Sequence, residues 1–259
     1  MITAKNSLPT KQKDQGLALS VVVPVMNEID NVEPLISEIV AVLRGREQFE
    51  IIYVDDGSTD GTQARLVELT KSYTELRVFG HKVCSGQSIA IITGVQNAKS
   101  PMIVTLDGDG QNDPSDIPAL LMRARASDDI GQTMVVGWRA KRRDTFIRRL
   151  SSKVANLIRA SMLKDHTPDT GCGLKVFPRD AFVKMPQFNH MHRFLPALMI
   201  RSGGEVVSVE VNHRARELGT SKYGVWNRLW IGIVDIYGVM WLIRRPTHPK
   251  IEQLKRPDI

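Results

Sequence analysis

The sequence predicts an α/β fold, with a mostly parallel β-sheet flanked by helices. In the first half, short apolar runs rich in valine and isoleucine alternate with amphipathic stretches of helical spacing. Strands that alternate with helices are typical of a parallel sheet covered on both faces. Polar clusters follow three of these apolar runs directly, and two of the clusters contain glycine. The chain has 259 residues, of which 42% are hydrophobic, and this suits one large domain or a domain with an appendage.

The elements follow in chain order. The strands predicted in the first half are residues 18–25, 49–54, 76–79, 102–106 and 134–136, and the helices are residues 32–43, 61–73, 88–98 and 115–125. The second half is less regular, and its predicted elements are a basic helix over 146–163, a strand at 174–177, a helix at 193–201 and a strand at 205–211. Ligands of such sheets collect beyond the carboxyl ends of the strands, where the polar clusters lie.

Both ends of the chain differ from this domain. Residues 1–16 are polar and predict a flexible tail before a domain at 17–225. Residues 226–259 form the appendage, and its apolar run 229–243 is shorter than the roughly 20 residues of a membrane span. Trp226, Trp230 and Trp241 lie in or beside this run, which two arginines close. This pattern is typical of a helix in the membrane interface, and a buried core helix is the alternative.

The net charge of +7 is concentrated in one stretch. Residues 139–153 contain seven arginines and lysines and one acid, Asp144. Such a patch indicates an anionic partner, which could be nucleic acid, phosphate groups or a membrane surface, unless it is a solvated helix face. Few aromatic residues accompany it, which argues against nucleic acid. The two cysteines, Cys84 and Cys172, form no disulfide framework, and a reducing compartment is favoured.

The cluster Asp107-Gly108-Asp109-Gly110-Gln111 follows the strand predicted at 102–106. Two carboxylates beside flexible glycines can hold Mg²⁺ or Mn²⁺ against a diphosphate. An ordinary Asp/Gly turn is the alternative. Two further clusters, at 24–28 and 55–62, also end strands, so all three predict one crevice for a nucleotide. The sequence contains neither a dinucleotide fingerprint nor a P-loop motif, which excludes those two nucleotide-binding classes.

At this point the sequence resembles the family 2 glycosyltransferases, which have the GT-A fold, and among them the dolichol-phosphate mannose synthases and bacterial polyprenyl-phosphate glycosyltransferases. The likeness covers roughly residues 19–235. The matching motifs are residues 24–28, 55–62, 85–87 with Ala90 and Gly94, 107–111, Gly137 with Arg139, 169–175, 214–216 and 219–222.

The resemblance implies a nucleotide-sugar donor, GDP- or UDP-linked, and a divalent metal. The implied donor-binding residues are Pro24, Met26, Glu28, Val54, Asp56, Asp107, Gly108, Asp109, Gln111, Lys175, Arg214, Arg216 and Lys222. Among these, Asp107, Asp109 and Gln111 would hold Mg²⁺ or Mn²⁺. Residues 24–28 would contact the nucleotide, and Val54 and Asp56 would contact its base and ribose. Arg214, Arg216 and Lys222 would close over the phosphates. Met26 departs from the family, which usually has tyrosine there. Where long relatives have clear transmembrane helices, this sequence has only the apolar run 229–243.

The resemblance also implies a polyprenyl phosphate acceptor and an inverting transfer at the cytoplasmic face of a membrane, with the chain attached peripherally. A phosphate dianion needs no general base, but it needs arginines to place it. The implied acceptor residues are Arg139, Arg142, Arg143, Arg148 and Ser151, and the implied catalytic residues are Asp109, Arg139, Arg148 and Asp169. Asp169 would contact the sugar or cap a turn. In an alternative function, Asp169 is the base that activates a glycan or protein hydroxyl.

Three histidines, at positions 190, 192 and 213, lack metal-type spacing with a carboxylate, and structural or sugar-contacting roles are expected for them. The sequence leaves open the donor base and sugar, the choice between Mg²⁺ and Mn²⁺, and whether the chain forms a homo-oligomer. No nucleic-acid partner is expected.

Overall fold

The structure is a computed structural model, and it describes residues 17–140, 162–163, 165, 167–214 and 225–245. The side chains of 225–231 and 233 are outside that description. The predicted tail 1–16 and nearly all of the predicted basic helix 146–163 therefore lie outside the described residues. So do six predicted site residues, which are Arg142, Arg143, Arg148, Ser151, Arg216 and Lys222.

The described strands form one seven-stranded mixed sheet in the order β3-β2-β1-β4-β6-β5-β7. The strands are β1 Leu19–Val25, β2 Phe49–Asp55, β3 Leu76–Gly80, β4 Met102–Thr105, β5 Thr133–Trp138, β6 Lys175–Pro178 and β7 Glu205–Glu210. β1, β2, β3 and β4 pair in parallel, as do β5 and β7, whereas β6 is antiparallel to both of its neighbours. The mostly parallel sheet is confirmed.

Seven α-helices are described. They are α1 Ile29–Leu43, α2 Thr62–Leu69, α3 Gln87–Asn97, α4 Ile117–Arg125, α5 Arg179–Val183, α6 Leu195–Arg201 and α7 Val225–Ile243. The prediction of helix to residue 73 was wrong for α2, which ends at Leu69 and continues as turns. There the Thr70 hydroxyl donates to the backbone oxygen of Val67 at 2.7 Å, a local bond that competes with helix continuation.

The core lies on both faces of the sheet, as alternating strand residues require. Val21 and Val23 of β1 pack into the cluster formed with α1, α2 and α4. Val22 points the other way, into the cluster formed with α3, α5 and α6. Because helices cover both faces, the polar loops at the strand ends are the part of the sheet left open to ligands.

Helix α7 has one buried apolar face and one exposed apolar face. Val239 is fully buried in the core cluster, and Ile236, Met240 and Ile243 pack partly against it. Val234, Tyr237 and Trp241 are 65%, 64% and 56% exposed. Arg201 anchors the end of the helix by donating to the backbone oxygens of Leu242 and Arg245, both at 2.8 Å. No described helix is long and apolar enough to span a bilayer.

Candidate active site

The polar loops meet at one edge of the sheet. β1, β2 and β4 end there, and β6 begins there because it runs in the opposite direction. Since β2 lies on one side of β1 and β4 lies on the other, the crevice between β1 and β4 is the switch point at which such sheets bind ligands. Residues 26–28 and 107–111 flank it.

The loop after β1 is tied to the loop after β2. Asn27 has a positive φ of 54°, and its backbone N–H donates to the Ser58 hydroxyl at 2.7 Å. The Asn27 side-chain oxygen in turn accepts from the Thr59 backbone N–H at 2.7 Å. The Glu28 backbone N–H donates to the Thr62 hydroxyl at 3.0 Å. These bonds make the two loops one wall of the crevice.

Asp56 organises the loop that leads into α3. Its carboxylate accepts from the backbone N–H groups of Ser85 and Gly86 at 2.8 and 2.7 Å. It also lies 2.7 Å from Nδ1 of His81. Burial would raise the pKa of Asp56, but these hydrogen bonds outweigh it, and the pKa lies below its ordinary value. A ligand that meets Asp56 would therefore find a fixed, ionised carboxylate.

The acidic motif after β4 packs against the end of β1 and the loop before β6. A Cβ on Gly108 would lie 2.2 Å from a methyl group of Val25, and a Cβ on Gly173 would lie 2.3 Å from Cγ of Asp107. Asp107 accepts from the Gln87 side chain at 2.8 Å, and its backbone N–H donates to the Asn112 side chain at 3.0 Å. These contacts hold Asp107 in place from three sides.

The residues fit a divalent cation bound together with a diphosphate. Burial, followed by the neighbouring charge of Asp109, raises the pKa of Asp107, and a bound cation would relieve both effects. In the described part of the chain, no three His, Cys, Asp or Glu side chains converge on one point. The two carboxylates would then leave ligand positions for the Gln111 amide, phosphate oxygens and water, which is how proteins usually bind Mg²⁺.

Arg139 and Asp169 form a buried ion pair beside this motif. Nε and Nη2 of Arg139 donate to the two carboxylate oxygens at 2.6 and 2.9 Å, and the side chains are only 10% and 7% exposed. Lys175 is also buried and donates to the backbone oxygen of Cys172. Burial lowers the pKa of Lys175, and the charges of Asp107 and Asp169 offset only part of that effect.

A small recess of about 70 Å³ opens beside Asp107. Its lining includes Gln87, Asp107, Gly173, Lys175, His192 and Leu195. His192 lies in a 3-10 turn, Met191–Arg193, and packs against α3. The recess is thus continuous with the residues that would hold the metal and the diphosphate.

Three residues that were predicted to bind the donor are buried or already paired in the structure. Val54 is fully buried in β2, and its methyl group lies 3.3 Å from where a Cβ on Gly94 would sit, so the residue has no exposed surface that a ligand could contact. Pro24 is likewise buried in β1. Arg214 pairs with Glu38 and Asp113 at 2.7 and 2.9 Å, so it would have to exchange these partners to close over a phosphate.

Sequence reasoning assigned no role to several residues that shape the site. Gln87, Asn112 and His81 each bond an acidic residue of the crevice. Gln87 begins α3 directly after Gly86, which has a positive φ of 96°. A glycine followed by polar residues before a predicted helix was the available signal for this loop.

The sequence is similar to that of known glycosyltransferases. The profile of the family described as Glycosyl transferase family 2 matches residues 20–185. The dodecaprenyl-phosphate galacturonate synthase of Rhizobium johnstonii is 34% identical over 245 residues, covering 93% of this chain and 71% of that protein. The undecaprenyl-phosphate 4-deoxy-4-formamido-L-arabinose transferase of Pectobacterium carotovorum is 34% identical over 208 residues, covering 79% of this chain but only 62% of its own length.

Solved structures share the fold. A mannosyltransferase from Pyrobaculum calidifontis, solved with GDP-Man and Mn²⁺, superposes with a TM-score of 0.66 at 21% identity, covering 90% of this chain and 66% of that one. Glucosyl-3-phosphoglycerate synthase from Mycobacterium tuberculosis, solved with Mn²⁺, UDP-glucose and glycerol 3-phosphate, gives 0.62 at 16% identity, covering 88% and 80%. The chain therefore belongs to glycosyl transferase family 2 and is a glycosyltransferase with the GT-A fold.

Proposed function

We propose that this chain transfers a sugar from a nucleotide-sugar to a polyprenyl phosphate, with inversion at the anomeric carbon. The relatives named for dodecaprenyl and undecaprenyl phosphate support the acceptor class. Neighbours solved with UDP-glucose and GDP-Man support a nucleotide-sugar donor, whose base and sugar stay open.

The buried pair of Arg139 and Asp169 is the observation that carries the choice of acceptor. A sugar or protein hydroxyl needs a carboxylate that can take its proton, but the carboxylate of Asp169 is bound at both oxygens by one guanidinium. Such charge-assisted bonds stabilise the ionised acid and make it a poor base. A phosphate monoester is already largely dianionic at neutral pH and needs no base. The pair therefore favours phosphate over hydroxyl.

The chain's own residues divide the remaining work. Asp107, Asp109 and Gln111 would hold Mg²⁺ or Mn²⁺, which supplies charge stabilisation to the departing nucleoside diphosphate. Asp56 and the 26–28 loop would receive the nucleoside. Arg139 uses Nε and Nη2 for Asp169, which leaves Nη1 to donate toward an acceptor phosphate. The predicted acceptor arginines at 142, 143 and 148, with Ser151, remain part of this proposal, as do Arg216 and Lys222 for the donor.

Helix α7 would bring the chain to its lipid substrate. Its exposed apolar stripe, formed by Val234, Tyr237 and Trp241, is bordered by Arg244 and Arg245, and the Arg245 guanidinium lies 4.7 Å from the centre of the Trp241 ring. Apolar residues flanked by arginines suit an anionic membrane surface. Peripheral attachment at the cytoplasmic face is therefore part of the proposed function.

The test is transfer of labelled sugar into an organic-extractable lipid. Purified protein, Mn²⁺ and undecaprenyl phosphate would be incubated with UDP-glucose, UDP-galacturonic acid or GDP-mannose, and we expect one donor to label the lipid. The rate of transfer by the Asp169→Asn variant should fall far less than the roughly 10²–10⁴-fold that removal of a general base costs. A larger loss, together with transfer to a sugar hydroxyl, would favour the alternative acceptor.

A further inference from the structure

The recess beside Asp107 contains a histidine whose protonation state the surrounding contacts determine. The Ser88 hydroxyl oxygen accepts from the His192 backbone N–H at 3.1 Å and lies 2.7 Å from Nδ1 of the same residue. Ser88 is buried, and within the described residues its hydroxyl proton has no other acceptor. If Nδ1 carried a proton, the hydroxyl proton would be buried without a partner, which is costly. We therefore assign Nδ1 as the acceptor.

This assignment leaves the imidazole proton on Nε2. A neutral imidazole with an accepting Nδ1 is a donor at Nε2. Burial is the main reason that the pKa of His192 falls to about 3, and the charge of Lys175 adds to the effect, so the ring stays neutral at working pH. Among the residues that the structure describes, none hydrogen-bonds to Nε2 of His192. The recess is thus lined by a neutral imidazole of fixed orientation whose Nε2–H can donate a hydrogen bond to a ligand.

The position and size of the recess indicate what this donor meets. Asp107 borders it, and the sugar of a nucleotide-sugar is joined directly to the phosphate that Asp107 and the metal would hold. A volume of about 70 Å³ is enough for a few water-sized groups, since one water needs only about 10–15 Å³ of such space. The recess therefore has space for hydroxyl groups of the donor sugar. Ile91 and Leu195 form apolar parts of its wall, which would contact the carbon skeleton of the sugar.

We propose that His192 determines specificity for the donor sugar by donating a hydrogen bond from Nε2–H to a sugar hydroxyl seated in this recess. The proposal rests on the donor half of the proposed function and is independent of the acceptor. A neutral donor suits a hydroxyl, whereas a cationic one would favour phosphate or carboxylate oxygens. Ser88 is the positioning residue, because it orients the ring and selects the tautomer.

Two variants separate the sugar contact from the contact with Ser88. In His192→Asn, the amide can retain the bond to Ser88 but is too short to reach the Nε2 position. In His192→Gln, the longer side chain can carry its amide N–H close to that position. His190→Asn is the matched control, because His190 lies in the same turn outside the recess and pairs with Asp235 at 3.2 Å. Asparagine also tolerates the positive φ of 66° at that position.

The readout is binding without acceptor, by calorimetry in Mn²⁺, of UDP, UDP-glucose, UDP-galacturonic acid, GDP and GDP-mannose. His192→Asn should weaken the affinity for the nucleotide-sugar that wild type binds about tenfold. Its affinity for the matching nucleoside diphosphate should not change. His192→Gln should recover most of the loss, and the control should change neither affinity. Because no lipid is present, failure of lipid transfer would leave this result intact.

A substrate comparison supplies a test that tolerates some destabilisation by the variant. Each hydroxyl of the bound donor sugar would be removed in turn. Wild type should bind one of these monodeoxy analogues about tenfold more weakly than the parent donor, and His192→Asn should bind that analogue and the parent equally. Three results would overturn the assignment. They are equal weakening of nucleoside diphosphate and nucleotide-sugar in His192→Asn, unchanged affinity for both, and absence of any nucleotide-sugar binding in wild type.

Discussion

Replacing Gly173 by alanine would place a methyl group against the carboxylate of Asp107. The added Cβ would lie 2.3 Å from Cγ and Oδ2 of Asp107 and 2.5 Å from Oδ1. Because ordinary contact begins at 3.4 Å, the carboxylate would have to move by about 1 Å, and a misplacement of that size can cost about 10²-fold in rate. We expect the variant to lose about that much kcat/KM for sugar transfer.

Gly171→Ala is the matched control for this prediction. A Cβ there would lie 3.4 Å from Nη2 of Arg139 and 3.6 Å from Oδ1 of Asp169, which is ordinary contact. Neither glycine has a positive φ, so neither substitution strains the backbone. We expect Gly171→Ala to behave like wild type.

Thermal unfolding and transfer kinetics on both variants provide the assay. Forcing the Asp107 side chain from its rotamer costs about 0.5–1.5 kcal/mol, and each kcal/mol lowers Tm by about 2–4 °C in a domain of this size. Gly173→Ala should therefore stay folded while it loses activity. Activity within about threefold of wild type, at an unchanged Tm, would refute the role given to the position of Asp107.

Three further predictions test other parts of the site. Asp109→Asn, like chelation by EDTA, should nearly abolish transfer while the fold remains intact; undiminished turnover in EDTA would remove the metal from the account. Asp56 has a pKa below its ordinary 3.8, so its ionised form stabilises the fold above that value and the stabilisation is lost as pH falls through the lowered pKa. Asp56→Asn should thus lower Tm at neutral pH and flatten its decline in acid, and identical Tm-versus-pH curves would contradict this. Trp241→Glu should weaken binding to anionic vesicles, whereas Val67→Glu, at a site 55% exposed on α2, should not; equal binding by both would indicate that α7 is not the contact.

The sheet could be predicted because its strands are short apolar runs that end in polar turns. Each predicted strand overlaps an observed one, including β1 and β4, at whose ends the crevice lies. The five-residue helix α5 was not predicted, because so short a segment shows no helical period. The apolar run near the end of the chain predicted a helix but could not show that one apolar face is buried and the other exposed, since that depends on the helices it meets.

The crevice could be predicted from its motifs, but the pairing inside it could not. Arg139 and Asp169 are separated by 30 residues, and only the sheet register brings them together. Arg214 was expected to close over the phosphates. Instead it contacts Glu38, which lies 176 residues away in the sequence. His190 and His192 are two positions apart, and the sequence does not distinguish them. Only the packing of the chain shows that His192 lines the recess and His190 does not.

Acceptor choice tests the central claim most directly. Undecaprenyl phosphate and undecaprenol, presented in the same vesicles at equal concentration, differ only in the phosphate, so they compare a nucleophile that needs no base with one that does. With the active donor and Mn²⁺, we expect label to enter the lipid phase with the phosphate and to stay at the level of the Asp109→Asn control with the alcohol. Comparable transfer to both lipids, or transfer to the alcohol alone, would contradict the account.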